Sequence, residues 1–351
     1  MNICLFTPQE ITQPLDIRDE RANHILKVLH KKTGDTFAAG IIGGMAGLAT
    51  ITGIETHEAH SADGHKTFAA GHISFTFTPQ TDGKPLYPLV MIVGFPRPIQ
   101  LKRLLRDMAG LGVQAVHLTA TDLGERSYLK SDLATTDAGT AMLLHGTEQA
   151  ASTHVPRLYI HRSLRECLDV VAKMISGNVT SAAELAINAP DSSPKFVKVV
   201  EPEPNVNFNT PSESCSKSID FSVPASAVEA PLLMALDNVT PSQSLCDYLH
   251  SVDWNAAANG AVSSMDANIP ADIGSFGSIH VDASTRKCTA GSVSRTAVAA
   301  IGSERGWTNA ERTLLESYGY KRLSMGKRVL RTETAATVAA SLILASLGVL
   351  D

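Results

Sequence analysis

Apolar positions follow an alternating pattern of strands and helices from about residue 85 onward. Leu89–Val93 is a continuous apolar run, as expected of a strand that is buried on both faces of a parallel sheet. Pro98 suits the first turn of a helix. Apolar residues then recur at helical spacing, at Leu101, Leu104, Leu105, Met108 and Leu111. With a second strand at Ala115–Thr119, the segment predicts one β-α-β unit.

The same alternation continues towards the carboxyl end and predicts an α/β fold with a mostly parallel sheet. Further helices are predicted at 140–151, 164–175, 308–318 and 332–347, and further strands at 158–161, 297–301 and 320–325. Thr308 and Glu311 match the T-x-x-E capping box that starts a helix.

Residues 1 to about 80 have a different pattern, in which short apolar runs are separated by glycines. Strands are predicted at 3–6, within 36–54 and at 73–78, and one short helix at Glu20–Leu29. Closely spaced strands with glycine turns predict a small barrel or sandwich. The polar segment Gln80–Pro85 is interpreted as a linker, which divides the chain into domains of residues 1–80 and 85–351.

Residues from about 190 to 295 interrupt the pattern. Residues 191–290 hold 12 acidic and 5 basic side chains, a net charge of −7 compared with −5 for the whole chain. We predict an acidic, partly ordered insertion that carries one core strand at Leu232–Leu236. The remaining chain is weakly basic, so the acidic total does not exclude a nucleic-acid partner, which responds to local charge clusters.

Composition narrows the class of protein. The 351 residues are 44% apolar and 19% charged, as in ordinary globular proteins. The apolar segment Ala335–Leu350 is interrupted by polar residues and predicts a buried helix rather than a membrane span. Charged residues near the amino end disfavour a signal peptide, so we expect a cytoplasmic protein. The five cysteines are scattered along the chain, so we predict no disulfide framework and expect Cys167 to be a core residue. The histidines lack the spacing of metal ligands, so we predict no metal site.

Two glycine-bearing loops near the carboxyl end carry the strongest chemical signal. The first is Gly302-Ser303-Glu304-Arg305-Gly306, between a predicted strand and a capped helix; the second runs from Leu323 to Thr332. Ligands bind at such strand ends in open α/β sheets, and glycine lets the backbone approach them closely. The alternative interpretation of the first loop is an ordinary strand-to-helix turn.

The residues of these loops resemble those of one enzyme family. The 16S rRNA (uracil-N3)-methyltransferases of the SPOUT superfamily have G-P-E-G-G-F followed by L-G-x-R-I-L-R-x-E-T-A. Residues 302–307 match the first pattern except that Ser303 replaces proline, Arg305 replaces the first glycine of the pair and Trp307 replaces phenylalanine. Residues 325–335 match the second except for Met325 and Val329. A positive φ at Arg305 would cost roughly 1 kcal/mol or more.

Weaker matches follow in the family's order upstream. Residues 23–29 resemble its H-L-x-R-V-L-R, residues 32–35 its K-x-G-D, and residues 125–130 its E-R-S-x-x-K. Glu148-Gln149 resembles the start of E-Q-S-G-R, where Ala151 and Ser152 replace the glycine and the arginine. The matches extend over about residues 1–175 and 295–351.

The resemblance implies a PUA-like barrel, a trefoil-knotted SPOUT domain, a homodimer and methylation of a uridine N3 in small-subunit ribosomal RNA. It implies S-adenosylmethionine as cofactor, bound by Gly302, Ser303, Glu304, Arg305, Gly306, Leu323, Met325, Gly326, Leu330, Arg331 and Thr332. Arg331 and Glu333 are the candidate catalytic residues, with Arg331 polarising the uracil or contacting RNA and Glu333 fixing Arg331 or capping the helix.

Basic clusters supply the candidate RNA contacts. They are Arg21, His24, Lys27, Lys31 and Lys32 near the amino end, and Arg126, Ser127 and Lys130 after the second strand of the β-α-β unit. Phosphate binding by such residues would make RNA affinity salt-dependent; the alternative is a solvated basic surface. Two competing functions stay open: a non-catalytic RNA-binding or assembly protein on this fold, and a methyltransferase with another RNA target.

Overall fold

The computed structural model describes residues 1–60, 66–176, 230–252 and 295–350, which form two sheets. The amino-terminal sheet has five strands in the order β1-β3-β4-β5-β2. They are β1 Cys4–Phe6, β2 Leu15–Asp16, β3 Thr36–Ile41, β4 Ala46–His60 and β5 Lys66–Thr81. All pairs are antiparallel except β1 with β3. The predicted β-rich amino-terminal region is confirmed as a curled half-barrel.

A short helix closes the core of this sheet. Helix α1, Glu20–Asn23, continues as a π-helical turn over His24–Val28, so the helix predicted over Glu20–Leu29 is confirmed with a wider second half. Asp19 caps it by accepting a hydrogen bond from the Arg21 backbone N–H. Its fully buried Ile25 packs among the side chains of the sheet, which include Phe6, Phe37, Ile51 and Ile73.

The second sheet has seven parallel strands in the order β10-β12-β9-β11-β6-β7-β8. They are β6 Tyr87–Gly94, β7 Val113–Thr119, β8 Arg157–His161, β9 Leu232–Leu236, β10 Gln243–Ser244, β11 Ala297–Ile301 and β12 Lys321–Ser324. All five residues of β11 are buried, because helices cover both faces of the sheet. The predicted mostly parallel α/β sheet is confirmed.

Seven further helices of the described chain pack in two layers. They are α2 Pro98–Gly110, α3 Asp132–Thr135, α4 Ala138–Gln149, α5 Leu164–Ile175, α6 Leu245–Ser251, α7 Asn309–Ser317 and α8 Thr332–Ser346. Helices α2, α4, α6 and α8 contribute to the core on one face, and α5 and α7 to the core on the other. The architecture is therefore a three-layer α/β sandwich. Among these helices, none has both the length and the apolar character that crossing a bilayer demands.

The predicted insertion contributes more to the core than one strand. Strand β9 lies between β11 and β12 in the middle of the sheet, and β10 and α6 follow it. Residues 177–229 and 253–294, which make up most of the predicted insertion, lie outside the described residues, as do Cys215 and Cys288.

The two sheets are joined through the segment that we interpret as a linker. The Thr153 backbone N–H donates to the Gly83 carbonyl over 2.9 Å, and the Gly43 N–H donates to the Thr153 carbonyl over 2.8 Å. The Ser152 hydroxyl donates to the carbonyls of Gly83 and Lys84, each over 3.1 Å. The linker is thus held by the segment between α4 and β8.

Candidate functional site

The candidate site lies at one edge of the parallel sheet, where four neighbouring strands end. The first loop, Gly302–Gly306, follows β11, and the second loop, Leu323–Thr332, starts in β12 and ends at α8. Strand β9 separates β11 from β12, and β6 flanks β11 on its other side. Because all these strands are parallel, both loops emerge at their carboxyl ends.

The two loops touch. The Thr332 hydroxyl lies 3.5 Å from the Gly302 carbonyl oxygen, and both residues are buried. Leu323 at the start of the second loop is fully buried, and its carbonyl accepts a hydrogen bond of 2.9 Å from the backbone N–H of Asp237, which follows β9. The two loops whose residues the resemblance assigns to one cofactor are therefore in contact.

The first loop is a tight turn in which the positive φ falls on Gly306. The Gly306 N–H donates to the Ser303 carbonyl over 2.8 Å, and Gly306 has a φ of +76°. Arg305 is exposed and is not among the non-glycine residues with positive φ in the described chain. The replacement of a family glycine by Arg305 therefore causes no backbone strain, and the cost considered from the sequence does not arise.

Gly94, at the end of β6, supports this loop from below. A Cβ atom at Gly94 would lie 2.4 Å from the Ser303 backbone nitrogen and 2.8 Å from the Gly302 carbonyl carbon. Glycine is required here because the two backbones approach too closely for any side chain. Next to it, Arg97 forms an ion pair with Glu304 at 3.5 Å across the outer surface of the loop.

Open space lies beside one glycine of each loop. A Cβ at Gly306 or at Gly326 would meet nothing within 4 Å, and Gly326 has a φ of +100°. Met325 is half-buried against the core, whereas Val329 is 91% exposed. The loops thus combine a packed base with accessible backbone, an arrangement that fits a nucleoside ligand held largely by main-chain groups.

Arg331 and Glu333 lie where the second loop enters α8. Arg331 is the N-cap residue of the helix, and its exposed side chain does not cap it. Its guanidinium has no hydrogen bond or ion pair with the described residues, Glu333 included. Glu333 lies in the first helical turn, where a negative charge is favourable. The catalytic roles of both residues stay predictions.

The segment after β9 joins the site, which the sequence analysis missed. Asp237 forms a buried ion pair with Arg312 of α7, with Nε and Oδ2 2.5 Å apart. The Asn238 side-chain oxygen lies 3.4 Å from the Met325 backbone nitrogen, within the second loop. Their position in the sequence could have indicated this role, because both residues directly follow the apolar run 232–236, as the first loop follows β11.

Ala151, rather than Arg305, has a positive φ with its conformational free-energy cost. It has a φ of +52°, in the left-handed region, where the family pattern has glycine. An L-residue with a side chain pays roughly 1–2 kcal/mol there. Hydrogen bonds of the neighbouring Ser152 and Thr153 to the linker hold this turn in place.

The structure separates the amino-terminal basic residues into two groups. Arg21 is 17% exposed and forms ion pairs with Glu10 and Asp19, each at 2.8 Å, so it has a structural role that the sequence did not reveal. His24 is half-buried, whereas Lys27 and Lys32 are exposed and Lys31 is half-buried. The three lysines are thus better placed than Arg21 to meet an external phosphate.

The second basic group lies on a 3-10 helix, Arg126–Lys130, beside a surface depression. Arg126, Ser127 and Lys130 are exposed. The depression is small, with room for about one water molecule, and is lined by Phe95, Ala120, Thr121, Gly124, Glu125, Arg126 and Leu129. The Thr121 hydroxyl is buried and has no hydrogen-bond partner among the described residues, which costs about 1–3 kcal/mol.

Two histidines, here called the histidine pair, meet in the core between β7 and β8. His117 Nδ1 and His161 Nε2 are 2.9 Å apart, and the Cys167 thiol is close to both. Burial lowers the pKa of His117 well below its usual value and that of His161 to about 4, and it raises the pKa of Cys167. The sequence predicted Cys167 as a core residue, which is confirmed; it did not predict the pair, whose members are 44 positions apart.

Fold and site together define a three-layer α/β protein whose glycine loops meet at the carboxyl ends of parallel strands, the edge where open α/β sheets bind ligands. The chain belongs to the RNA methyltransferase domain family, whose model matches residues 83–202 and 243–344. It is 30% identical to the ribosomal RNA small subunit methyltransferase E of Treponema pallidum over 351 residues, which is 99% of this chain and 91% of that protein. The family resemblance inferred from the motifs is confirmed.

Solved structures share the fold. A ribosomal RNA small subunit methyltransferase E from Neisseria gonorrhoeae, bound to S-adenosyl methionine, superposes with a TM-score of 0.53 at 16% identity, covering 98% of this chain and 97% of that one. A putative methyltransferase from Legionella pneumophila with the same cofactor gives 0.53 at 14% identity, covering 99% and 98%. At these identities the likeness establishes the fold alone.

Proposed function

We propose that this protein methylates N3 of a uridine in 16S small-subunit ribosomal RNA with S-adenosylmethionine as methyl donor. Family membership and the Treponema relative support an RNA methyltransferase of the small subunit. The observation that carries the proposal is the contact between the two glycine loops at the carboxyl ends of β11 and β12.

The two loops are the proposed cofactor site. When bound, S-adenosylmethionine supplies a methyl group on a sulfonium, which is already a strong electrophile. The backbones of Gly306 and Gly326 offer close approach to the nucleoside, Gly302 packs against the Gly306 backbone, and Leu323 and Thr332 fix the loops to the core. The main task of the chain is therefore to position the two reactants.

Arg331 is the proposed charge-stabilising residue. Methylation of uracil N3 requires the N3 proton to leave, so negative charge develops on the ring and its carbonyl oxygens. An arginine that is free of carboxylate partners in the described chain can donate to such an oxygen. Glu333 stabilises the start of α8, and no residue is assigned as general base.

The wider architecture follows from the same family. We propose a PUA-like RNA-binding domain over residues 1–80, and a SPOUT domain over residues 85–351 that contains a trefoil knot. We further propose a cytoplasmic homodimer without a resident metal ion. Lys27, Lys31 and Lys32, in and after the π-helical turn of the amino-terminal region, would contact RNA phosphates. Arg126, Ser127 and Lys130 of the 3-10 helix would contact further phosphates.

A non-catalytic RNA-binding protein on this fold was the main alternative, supported by the altered first loop. That support is weakened because the positive φ lies on Gly306 rather than on Arg305. A methyltransferase with another RNA target differs only in the base that is modified.

Two measurements test the proposal. Calorimetric titration of the full chain with S-adenosylmethionine should give binding near physiological cofactor concentrations. Gly326→Ala should weaken it because alanine is disfavoured at a φ of +100°, whereas Gly110→Ala, with open space and no positive φ, is the matched control. Absence of binding by the wild type contradicts an enzymatic role. Mapping of methylated bases in rRNA from a strain without the gene then identifies the target: unchanged N3-methyluridine contradicts the proposed specificity.

A further inference from the structure

Five exposed cationic side chains border the two glycine loops and are here called the cationic rim. The loops touch at Thr332 and Gly302, so residues next to either position lie at the same edge of the sheet. The rim consists of Arg97 at the start of α2, Arg305 in the first loop, and Lys327, Arg328 and Arg331 in the second. The rim therefore follows the border of the proposed cofactor site.

The cationic rim carries more positive charge than the neighbouring carboxylates neutralise. The two loops and the start of α8 contain two carboxylates, Glu304 and Glu333, which leaves a surplus of three positive charges. Glu304 is paired with Arg97, with Nε and Oε2 3.5 Å apart. Glu333 lies in the first turn of α8, at the positive end of the helix dipole. An anionic ligand at this border is therefore electrostatically favourable.

Arg305 is the rim residue at which this chain has gained a charge relative to the family pattern, which has glycine there. Its neighbour Glu304 is paired with Arg97, and Arg305 forms no hydrogen bond or ion pair with the described residues. Its backbone is outside the left-handed region, because the positive φ of the turn falls on Gly306. The loop thus accommodates the side chain without strain, and the guanidinium is available to a ligand.

The cofactor is not the anion that this surplus charge suits. S-adenosylmethionine carries a sulfonium and an ammonium group but a single carboxylate, so it is a net cation. A border with surplus positive charge repels a net cation. RNA, in contrast, has a negative charge on every backbone phosphate, and cationic side chains bind it by displacing its counterions. The charge of the rim therefore fits the nucleic-acid substrate rather than the methyl donor.

The side chain and its surroundings suit a phosphate group. A guanidinium is planar and always charged, and its N–H donors can bind two phosphate oxygens at once. Gly306, the next residue, has no heavy atom within 4 Å of the place where its Cβ would lie, so a nucleotide can approach the loop there. Arg305 is thus an exposed donor beside open space, at the mouth of the proposed cofactor site.

We propose that Arg305 binds a backbone phosphate of the substrate RNA near the target nucleotide, as part of a cationic rim that holds the RNA against the two loops. The inference rests on the proposed function, and it assigns the Arg305 side chain to the RNA, whereas the resemblance assigns this residue to the cofactor. Phosphate contacts fix the position and orientation of a nucleic acid without reading its sequence. The departure from the family pattern at position 305 therefore adds RNA affinity.

The test compares Arg305→Gln, which removes the charge, with Arg305→Lys, which retains it. Lys173→Gln is the matched control, because Lys173 is exposed in the last turn of α5, which runs back from β8 towards the amino ends of the strands. Binding of the full chain to small ribosomal subunits that lack the modification is measured over a series of salt concentrations. Arg305→Gln should reduce the slope of log affinity against log salt by about 1. Arg305→Lys and Lys173→Gln should retain the wild-type slope.

Calorimetric titration with S-adenosylmethionine distinguishes an RNA phosphate from the carboxylate of the cofactor. Arg305→Gln should bind the cofactor at least as tightly as the wild type, with an unchanged melting temperature because the side chain is exposed. Weaker cofactor binding by Arg305→Gln would assign the residue to the cofactor and overturn the inference, as would a wild-type salt slope in this variant. The slope is measured without methyl transfer. A wild type that binds the subunits but transfers no methyl group would therefore contradict the proposed function and leave the phosphate contact intact.

Discussion

Replacing Gly94 by alanine should displace the first loop although the sequence of that loop is unchanged. The new Cβ would lie 2.4 Å from the Ser303 nitrogen and 2.8 Å from the Gly302 carbonyl carbon. Ordinary contacts of such atoms begin near 3.4 Å, so the loop has to withdraw by about 1 Å. Overpacking of this kind costs about 1–3 kcal/mol of folding stability.

The same displacement should affect ligand binding more than folding. A shift of about 1 Å in a positioning element can cost on the order of 100-fold in function. We therefore expect S-adenosylmethionine affinity to fall by about 10- to 100-fold in calorimetric titrations, with a lower but still cooperative thermal transition.

Gly110→Ala is the matched control for Gly94→Ala. Gly110 ends α2, and a Cβ there would meet nothing within 4 Å. It should leave cofactor affinity unchanged and stabilise the helix by up to about 1 kcal/mol. If Gly94→Ala binds the cofactor as tightly as Gly110→Ala, the assignment of Gly302–Gly306 to the cofactor site is wrong.

Four further outcomes are expected. Ala151→Gly should raise the free energy of unfolding by about 1 kcal/mol by removing the cost of a φ of +52°; an unchanged urea midpoint would contradict this. The free energy of unfolding should fall as pH drops from 6.5 towards 4, because the histidine pair is neutral in the fold and takes up protons on unfolding; with a folded pKa of about 4, His161 accounts for about 3 kcal/mol. Urea titrations at several pH values test this, and a flat profile over that window would refute it. Arg331→Gln should lower the single-turnover methylation rate about 100-fold without changing the melting temperature, since the side chain is exposed; wild-type rates would exclude Arg331 from catalysis. Replacing Lys31 and Lys32 by glutamine should reduce the slope of log affinity against log salt by about 2 in RNA binding, and an unchanged slope would remove them from the interface.

Local patterns were sufficient for most of the α/β elements. Helix α5 and strands β9 and β11 occur at the predicted residues, because apolar periodicity and strand burial are properties of neighbouring positions. The capping box of Thr308 and Glu311 formed as predicted, since its partners are three residues apart. The loop motifs could also be recognised from the sequence, because it gives directly the positions of the glycines that permit close backbone approach.

Contacts between distant segments could not be read in this way. The sequence did not show that β9 lies between β11 and β12. It also did not show that Arg21 forms ion pairs with two carboxylates, or that His117 contacts His161. Nor did it show whether Arg305 or Gly306 takes the positive φ, which depends on the whole turn. Local preference acts over a few residues, whereas strand order, ion-pair partners and pocket walls depend on which surfaces the folded chain brings together.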